Sequence, residues 1–196
     1  NDRRRNNRPK GSRGGKKVSS IDPNKLIKKG VYEEPEVFKA SKTYDELNLC
    51  DQLKSNLSQK GYTHPTEIQE ASLQALLRKQ NMVGVASTGT GKTGAFLIPL
   101  IERLMTNNAS FTTLVVVPTR ELALQVEEEF KSLTRGMSLY SSCFIGGTNV
   151  GRDVAKLRRK NHFIIGTPGR LLDMTNRGAL RLKDISVLIL DEFDRM

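Results

Sequence analysis

Ala86-Ser87-Thr88-Gly89-Thr90-Gly91-Lys92-Thr93 is the stretch of this 196-residue chain whose residue types and spacing most directly imply chemistry. Gly89 and Gly91 permit backbone conformations that gather several N–H groups onto one concave surface. A helix starting there aims the positive end of its dipole at the same spot. Lys92 supplies a mobile cation for the outer phosphates of a nucleoside triphosphate, and the Thr93 hydroxyl is placed to hold a magnesium ion. The pattern is G-x-x-x-x-G-K-[ST], with Ala86 in the place of the first glycine; alanine is small enough to make this a mild departure.

Far downstream, the apolar run Val187-Leu188-Ile189-Leu190 ends in Asp191-Glu192-Phe193-Asp194. An acidic pair at a strand end opposite a phosphate loop is what a metal-assisted nucleotide hydrolase requires. Asp191 is expected to hold magnesium, directly or through water, and Glu192 to orient and deprotonate the attacking water. Lys92, Asp191 and Glu192 form the expected catalytic set, and Thr93 and Asp191 the expected metal set. Arg120 and Arg170 follow turn-forming residues in Pro118-Thr119-Arg120-Glu121 and Thr167-Pro168-Gly169-Arg170. Free backbone N–H groups beside a guanidinium suit phosphate oxygens. Alone, such an arginine is more often a surface ion-pair partner; beside a nucleotide site, a nucleic-acid strand is the better explanation. Gln69 has two readings. Its spacing from Thr66 is that of a capping box, whereas a glutamine amide can also pair with the donor–acceptor edge of adenine. Spacing alone favours the cap.

These residues need a frame. Met82-Val83-Gly84-Val85-Ala86 is expected as a strand leading into the phosphate loop, and Gly94 to Met105 as the helix leaving it. Upstream, Tyr44 opens the folded part. A helix capped by Asn48 carries Leu49, Leu53 and Leu57 on one face and ends at Lys60 before Gly61. A second helix runs from Thr66 to about Lys79. Thr113 to Val117, Leu139 to Ile145, His162 to Ile165 and Val187 to Leu190 read as strands, with helices between them. Strand and helix alternate, so the fold class is α/β, a parallel sheet with helices on both faces. Ligands of such sheets gather beyond the carboxyl ends of the strands. The phosphate loop, Pro118 to Glu121, Gly146-Gly147, Thr167 to Arg170 and Asp191 to Asp194 should therefore share one edge.

Of the net charge of +11, residues 1–17 contribute +7, from eight Lys and Arg against Asp2. Residues 1–20 are expected to be a disordered basic tail and 21–43 a linker, leaving 44–196 as the domain. A polyanion, nucleic acid before membrane, is the natural partner of that tail. No apolar run approaches the roughly 20 residues of a membrane span, and nothing resembles a secretion signal. Cys50 and Cys143 form no metal set with His64 and His162 and read as buried thiols. A soluble, intracellular protein is expected, cytoplasmic or, in a eukaryote, nuclear.

In their order, Ala86 to Thr93, Pro118-Thr119-Arg120-Glu121-Leu122-Ala123, Gly146-Gly147, Thr167-Pro168-Gly169-Arg170 and Asp191-Glu192-Phe193-Asp194 resemble the first RecA-like P-loop NTPase domain of a DEAD-box RNA helicase. Gly61 to Gln69 resembles the Q motif of that family, with Tyr44 at the upstream aromatic position. The resemblance covers residues 44–196 and implies ATP with magnesium as cofactors. It also implies adenine recognition by Gln69, stacking by Tyr44, and an RNA backbone gripped and bent by Pro118 to Glu121, Gly146-Gly147 and Thr167 to Arg170. DEAH helicases lack the Q motif. Phe193 replaces the family's Ala and Tyr44 its Phe. The chain looks cut at both ends, without the second RecA-like domain and its arginine fingers, so the fragment is expected to bind ATP weakly and hydrolyse it poorly. The whole is expected to be an ATP-dependent RNA helicase. Alternatives are an ATP-gated RNA clamp, suggested by Phe193, and a DNA helicase.

Overall fold

The computed structural model describes residues 38–87, 89–106 and 112–196. The basic tail, the linker up to residue 37 and Thr88 lie outside the described residues. Four short runs form one parallel sheet: β1 (Thr113–Val116), β2 (Ser141–Phe144), β3 (Phe163–Gly166) and β4 (Val187–Leu190), in the order β2-β3-β1-β4. Thr113 pairs with Phe163 and Val187, and Val116 with Gly166 and Leu190, so the carboxyl ends finish level. The helices are α1 (Asp51–Gln59), α2 (Glu67–Leu77), α3 (Lys92–Thr106), α4 (Arg120–Leu133), α5 (Val150–Leu157) and α6 (Pro168–Asn176).

Period-two alternation in the strands builds a core on each face of the sheet. Val115, Cys143, Phe163 and Ile165 pack with Leu53, Leu57, Leu97, Ile101, Val126 and Phe130 of α1, α3 and α4. Leu114, Phe144 and Ile164 pack with Leu171 and Met174 of α6. Burial pushes the Cys143 thiol up to about 11, so it behaves as a small apolar side chain, whereas Cys50 is only half-buried. Among the described residues no helix is long and apolar enough to cross a membrane.

Polar groups inside this frame are matched by contacts from distant elements. Pro99 lies within α3 and has no N–H to offer the carbonyl of Ala95, four residues earlier. Ser72 of α2 donates its hydroxyl to that carbonyl at 2.8 Å, so the helix runs on without an orphaned acceptor. Asn56 of α1 donates to the carbonyls of Leu133 and Arg135 at 2.8 and 3.0 Å, closing the end of α4.

Three local expectations are corrected. α1 begins at Asp51 with Cys50 at the N-cap, not with Asn48. The reason is tertiary: buried Glu102 of α3 accepts the Cys50 N–H at 2.7 Å. The packed region also reaches back beyond Tyr44, because Ser41 donates its N–H and hydroxyl to the Glu70 carboxylate. Met82 to Ala86 is not a strand. Val83 and Val85 are 81% and 94% exposed, and Met82 and Gly84 share with β4 a cleft of about 600 Å³. β4 is an edge strand with Leu188 and Leu190 exposed on one side. Apolar β-branched sequence marks a segment that favours a sheet, but a strand also needs a ladder partner within hydrogen-bonding distance.

Candidate active site

The phosphate loop joins the exposed Met82–Ala86 segment to α3, and its glycines are obligatory where they stand. Gly89 and Gly91 have φ of +82° and +87°, a region side chains rarely adopt. The loop is folded on itself: Lys92 Nζ donates to the Ala86 carbonyl at 3.0 Å and Thr90 Oγ1 to the Ser87 carbonyl at 2.7 Å. Its cation therefore already lies inside the loop. Thr93, half-buried, follows in the first turn of α3.

Asp191 extends β4 by donating its N–H to the Val116 carbonyl at 3.0 Å, which brings its carboxyl to the cleft that Lys92 also lines. Burial raises the Asp191 pKa, opposed by the Lys92 charge and reinforced by Glu192. A desolvated carboxylate beside a second carboxylate, with one lysine for compensation, is a fitting donor for a divalent cation. Glu192 adopts the left-handed conformation, φ 50° and ψ 43°, rare for a residue with a side chain. Its carboxylate pairs with Arg195 at 3.3 Å. Phe193 is 59% exposed, so the bulk that replaces alanine points out of the site.

The raised Asp191 pKa has a stability consequence. A carboxyl that binds its proton more tightly in the fold than in the unfolded chain loses stability as pH rises through its raised pKa, and at neutral pH the ionised form is a standing cost. Asp191→Asn is expected to raise the Tm of the nucleotide-free protein at about pH 7, with a smaller gain at about pH 4, as the native carboxyl takes up its proton. Thermal melts at the two pH values check this.

Gln69 and Tyr44 meet on the other side of the loop. Gln69 accepts the Thr66 N–H at 2.8 Å, the side-chain arm of the capping box, and donates from Nε2 to the Gly91 carbonyl at 3.1 Å. The cap and a contact with the phosphate loop thus coexist in one amide. Tyr44 is placed differently from a stacking platform. Its ring is 2% exposed within the core, and its hydroxyl donates to Gln69 Oε1 at 2.7 Å. The side chain is buried because both of its ends find partners, and neither face is open to a base.

A second cleft, about 670 Å³, opens beyond the carboxyl ends of β1, β2 and β3 and gathers Pro118, Thr119, Arg120, Glu121, Gly146, Gly147, Thr167, Gly169 and Arg170. Thr119 caps α4, its hydroxyl accepting the Leu122 N–H at 3.2 Å, and Thr167 precedes α6, which begins at Pro168. The positive ends of both helix dipoles therefore lie at the cleft. The two arginines, alike in sequence, have different surroundings. Arg120 is exposed, makes no ion pair among the described residues, and lies over Gly146-Gly147. A Cβ at Gly146 would come within 2.8 Å of its Nη2, so the glycine makes room for the guanidinium.

Arg170 corrects the expectation of a free phosphate ligand. Its side chain is 8% exposed and faces Asp153, which is 1% exposed, at 3.4 Å. It also donates to the Ile145 carbonyl at 3.0 Å and to the Thr148 carbonyl and hydroxyl. Nε and Nη2 are directed at the loop that carries Gly146-Gly147, which they shape, while Nη1 faces Asp173 of the cleft at 3.5 Å. Asp153 and Thr148 are the functional residues that sequence reasoning missed. The one available signal was an acid within the otherwise basic turns of Arg152 to Lys160.

The two clefts, the P-loop and the acidic strand end define a nucleotide-binding α/β domain of the RecA-like type. The profile of the DEAD/DEAH box helicase family matches residues 66–196, and the chain belongs to that family. It is 40% identical to the DEAD-box ATP-dependent RNA helicase CshA of Streptococcus pneumoniae over 153 residues, 78% of this chain and 29% of that protein. It is 41% identical to the ATP-dependent rRNA helicase RRP3 of Lodderomyces elongisporus over 155 residues, 79% and 31% of the two chains. The crystal structure of a DEAD box protein from Methanococcus jannaschii superposes with a TM-score of 0.72 at 40% identity, over 79% of this chain and 42% of that one. The chain thus spans about a third of the length of the curated relatives it matches.

Proposed function

We propose that this chain is the ATP-binding domain of an ATP-dependent RNA helicase, in which nucleotide hydrolysis is coupled to local unwinding. The carrying observation is the pairing of two clefts, one running along edge strand β4 to Asp191 and one beyond the carboxyl ends of β1, β2 and β3. The first includes Lys92 and Asp191, and the second Arg120, which makes no ion pair among the described residues, beside two helix N-termini. Gln69 is assigned to adenine, and Ala86 to Thr93 to the phosphates. Thr93 and Asp191 would hold magnesium, which when bound neutralises charge on the phosphate oxygens. Lys92 leaves the Ala86 carbonyl for the outer phosphates, and Glu192 takes the proton of the attacking water. Arg120, with the N–H groups at the starts of α4 and α6, holds successive phosphates of an RNA strand, and backbone contacts imply little sequence preference. Arg170 serves the same strand indirectly, by fixing the Gly146-Gly147 loop. The basic tail adds a sequence-independent attachment to RNA, and a second RecA-like domain completes the hydrolytic site. An intracellular location fits this substrate. The exposure of Phe193 leaves no specific observation in favour of a clamp without turnover.

The test is RNA-stimulated ATP hydrolysis by the whole protein. Arg120→Ala is expected to raise the RNA concentration needed for half-maximal stimulation and to reduce the salt dependence of RNA binding by about 0.7 log units per log salt, one phosphate contact on a single strand. Gly146→Ala, which displaces the same guanidinium, should show a similar loss with little change in Tm. RNA binding indifferent to both substitutions, or equal stimulation by a DNA strand of the same sequence, overturns the reading.

A further inference from the structure

Helix α5 carries a charge pattern that the Arg120 cleft does not use. Val150, Val154 and Leu157 turn one face of it to the core formed by Leu114, Phe144 and Ile164. Arg152 and Lys156, four residues apart, share the outward face, and Arg159 and Lys160 follow just beyond the helix. All four are exposed, and none makes an ion pair among the described residues. α5 is the crossover between the parallel strands β2 and β3, so it runs back against the strand direction. The basic stripe therefore leads from the Gly146-Gly147 loop, which precedes α5, to the amino ends of β2 and β3.

At that end lies a further cleft, of about 600 Å³. Lys156, Arg159 and Lys160 line it together with Tyr140, and Ser141 and Ser142 of β2 give it a polar edge. A fourth cation there, Lys131, is already paired with Glu127 at 2.9 Å. Tyr140 immediately precedes β2 and is 51% exposed. Its ring stacks on His162, with the ring centres 5.8 Å apart and the planes 24° from parallel. His162 is buried just before β3, and its Nδ1 accepts the Tyr140 N–H at 3.0 Å, so the ring and its backbone are both held. Burial and the Lys160 charge lower the His162 pKa, which keeps the imidazole neutral and Nδ1 able to accept.

Cations without acidic partners beside a fixed, half-exposed aromatic ring are the two parts of a single-strand nucleic-acid surface: phosphates meet the charges and a base meets the ring. An acidic protein fits this cleft less well. Protein interfaces are held by clustered apolar and aromatic anchors, and Tyr140 is the one such side chain among the described residues that line it. We propose that the cleft is a second RNA-contact site, in which Tyr140 stacks on an unpaired base and Lys156, Arg159 and Lys160 hold phosphates of the strand that leaves the Arg120 cleft along α5. Such a site rests on the RNA reading given above and carries the bound strand to the opposite end of the sheet. β2 spans four residues, about 13 Å at the rise of a strand, a distance that a few nucleotides bridge.

The experiment is fluorescence anisotropy of a labelled single-stranded RNA titrated with the unmutated protein and its variants across a salt series, with thermal melts to check that each variant is folded. Tyr140→Ala is expected to weaken binding about 5- to 100-fold, the range of one base–aromatic stack, and Tyr140→Phe, which keeps the ring, to recover the affinity. A strand of abasic ribose phosphates has no base to stack and should not distinguish Tyr140→Ala from the unmutated protein. Lys156→Gln combined with Arg159→Gln alters only exposed side chains and is expected to reduce the salt dependence by about 1.4 log units per log salt, two phosphate contacts. RNA binding unchanged in Tyr140→Ala and in the charge variant, with Arg120→Ala still weakening it, overturns the second site and leaves the RNA reading intact. A Tyr140→Ala loss as large for the abasic strand as for RNA overturns stacking. Polyglutamate binding that the charge variant loses, while its RNA binding is unaffected, assigns the cleft to an acidic protein and overturns the proposal. An unmutated protein that binds no RNA overturns the RNA reading and the second site together.

Discussion

Glu192→Gln is expected to lower RNA-stimulated ATP hydrolysis by about 10²- to 10⁴-fold, the usual contribution of a positioned general base, while ATP and RNA binding persist. Glutamine keeps the shape of the side chain and its capacity to accept from Arg195, but it cannot take a proton at neutral pH. The backbone makes a second substitution informative. Glu192 is held in the left-handed region, where a side chain costs about 1 kcal/mol or more and glycine costs little. Glu192→Gly should therefore lose turnover as Gln does, yet unfold at a higher denaturant concentration than Glu192→Gln. Such a pair separates the chemistry of the carboxylate from the geometry that aims it. Single-turnover hydrolysis at saturating RNA, together with urea melts, reads both; turnover within about tenfold of the unmutated protein in both variants would remove Glu192 as the base. The left-handed turn also has a physical reason to persist. It swings the chain out of the β4 direction immediately after Asp191, so that adjacent acidic residues do not continue one strand.

The frame was largely legible in the sequence because apolar runs of strand length separated by amphipathic helices admit few arrangements. Thr113 to Val116 and Phe163 to Gly166 have sheet neighbours on both sides, and their near-continuous apolar sequence shows it. Features that depend on a contact from far along the chain were not legible. Asn48 is a good N-cap residue, but Glu102, 52 residues from Cys50, supplies the acceptor at the start of α1. Met82 to Ala86 has strand composition and no ladder partner among the described residues. Tyr44 carries the same aromatic label whether its face is open or buried; the core around the ring and the position of Gln69 Oε1 determine where it goes. Arg120 and Arg170 are the sharpest case. Each follows a short turn at the end of a parallel strand, and local sequence gives them the same role, yet one is exposed with no ion pair among the described residues and the other is buried against an acid from a different helix.

That difference leads to the largest stability effect expected in this domain. Arg170→Ala leaves Asp153, 1% exposed, without its cationic partner, and breaking one side of a buried pair costs about 3–5 kcal/mol. Thr148, which donates to Asp153 at 2.8 Å and accepts from Arg170 at 2.9 Å, is loosened by the same change, and the Ile145 carbonyl loses one of its two donors. Removing both charges with volume kept, as in Arg170→Met with Asp153→Leu, should restore much of the lost stability, because no buried charge is then stranded. RNA binding should not recover with it, since the loop that positions Gly146-Gly147 depends on donors that methionine lacks. The salt dependence identifies the mechanism. Loss of a direct phosphate contact flattens the slope by about 0.7 log units, as for Arg120→Ala, whereas loss of a positioning residue weakens binding with the slope nearly kept. In the double variant the affinity is therefore expected to fall at every salt concentration along a line parallel to that of the unmutated protein. A flattened slope there would return Arg170 to the set of direct RNA ligands, with its buried ion pair opening when the strand binds.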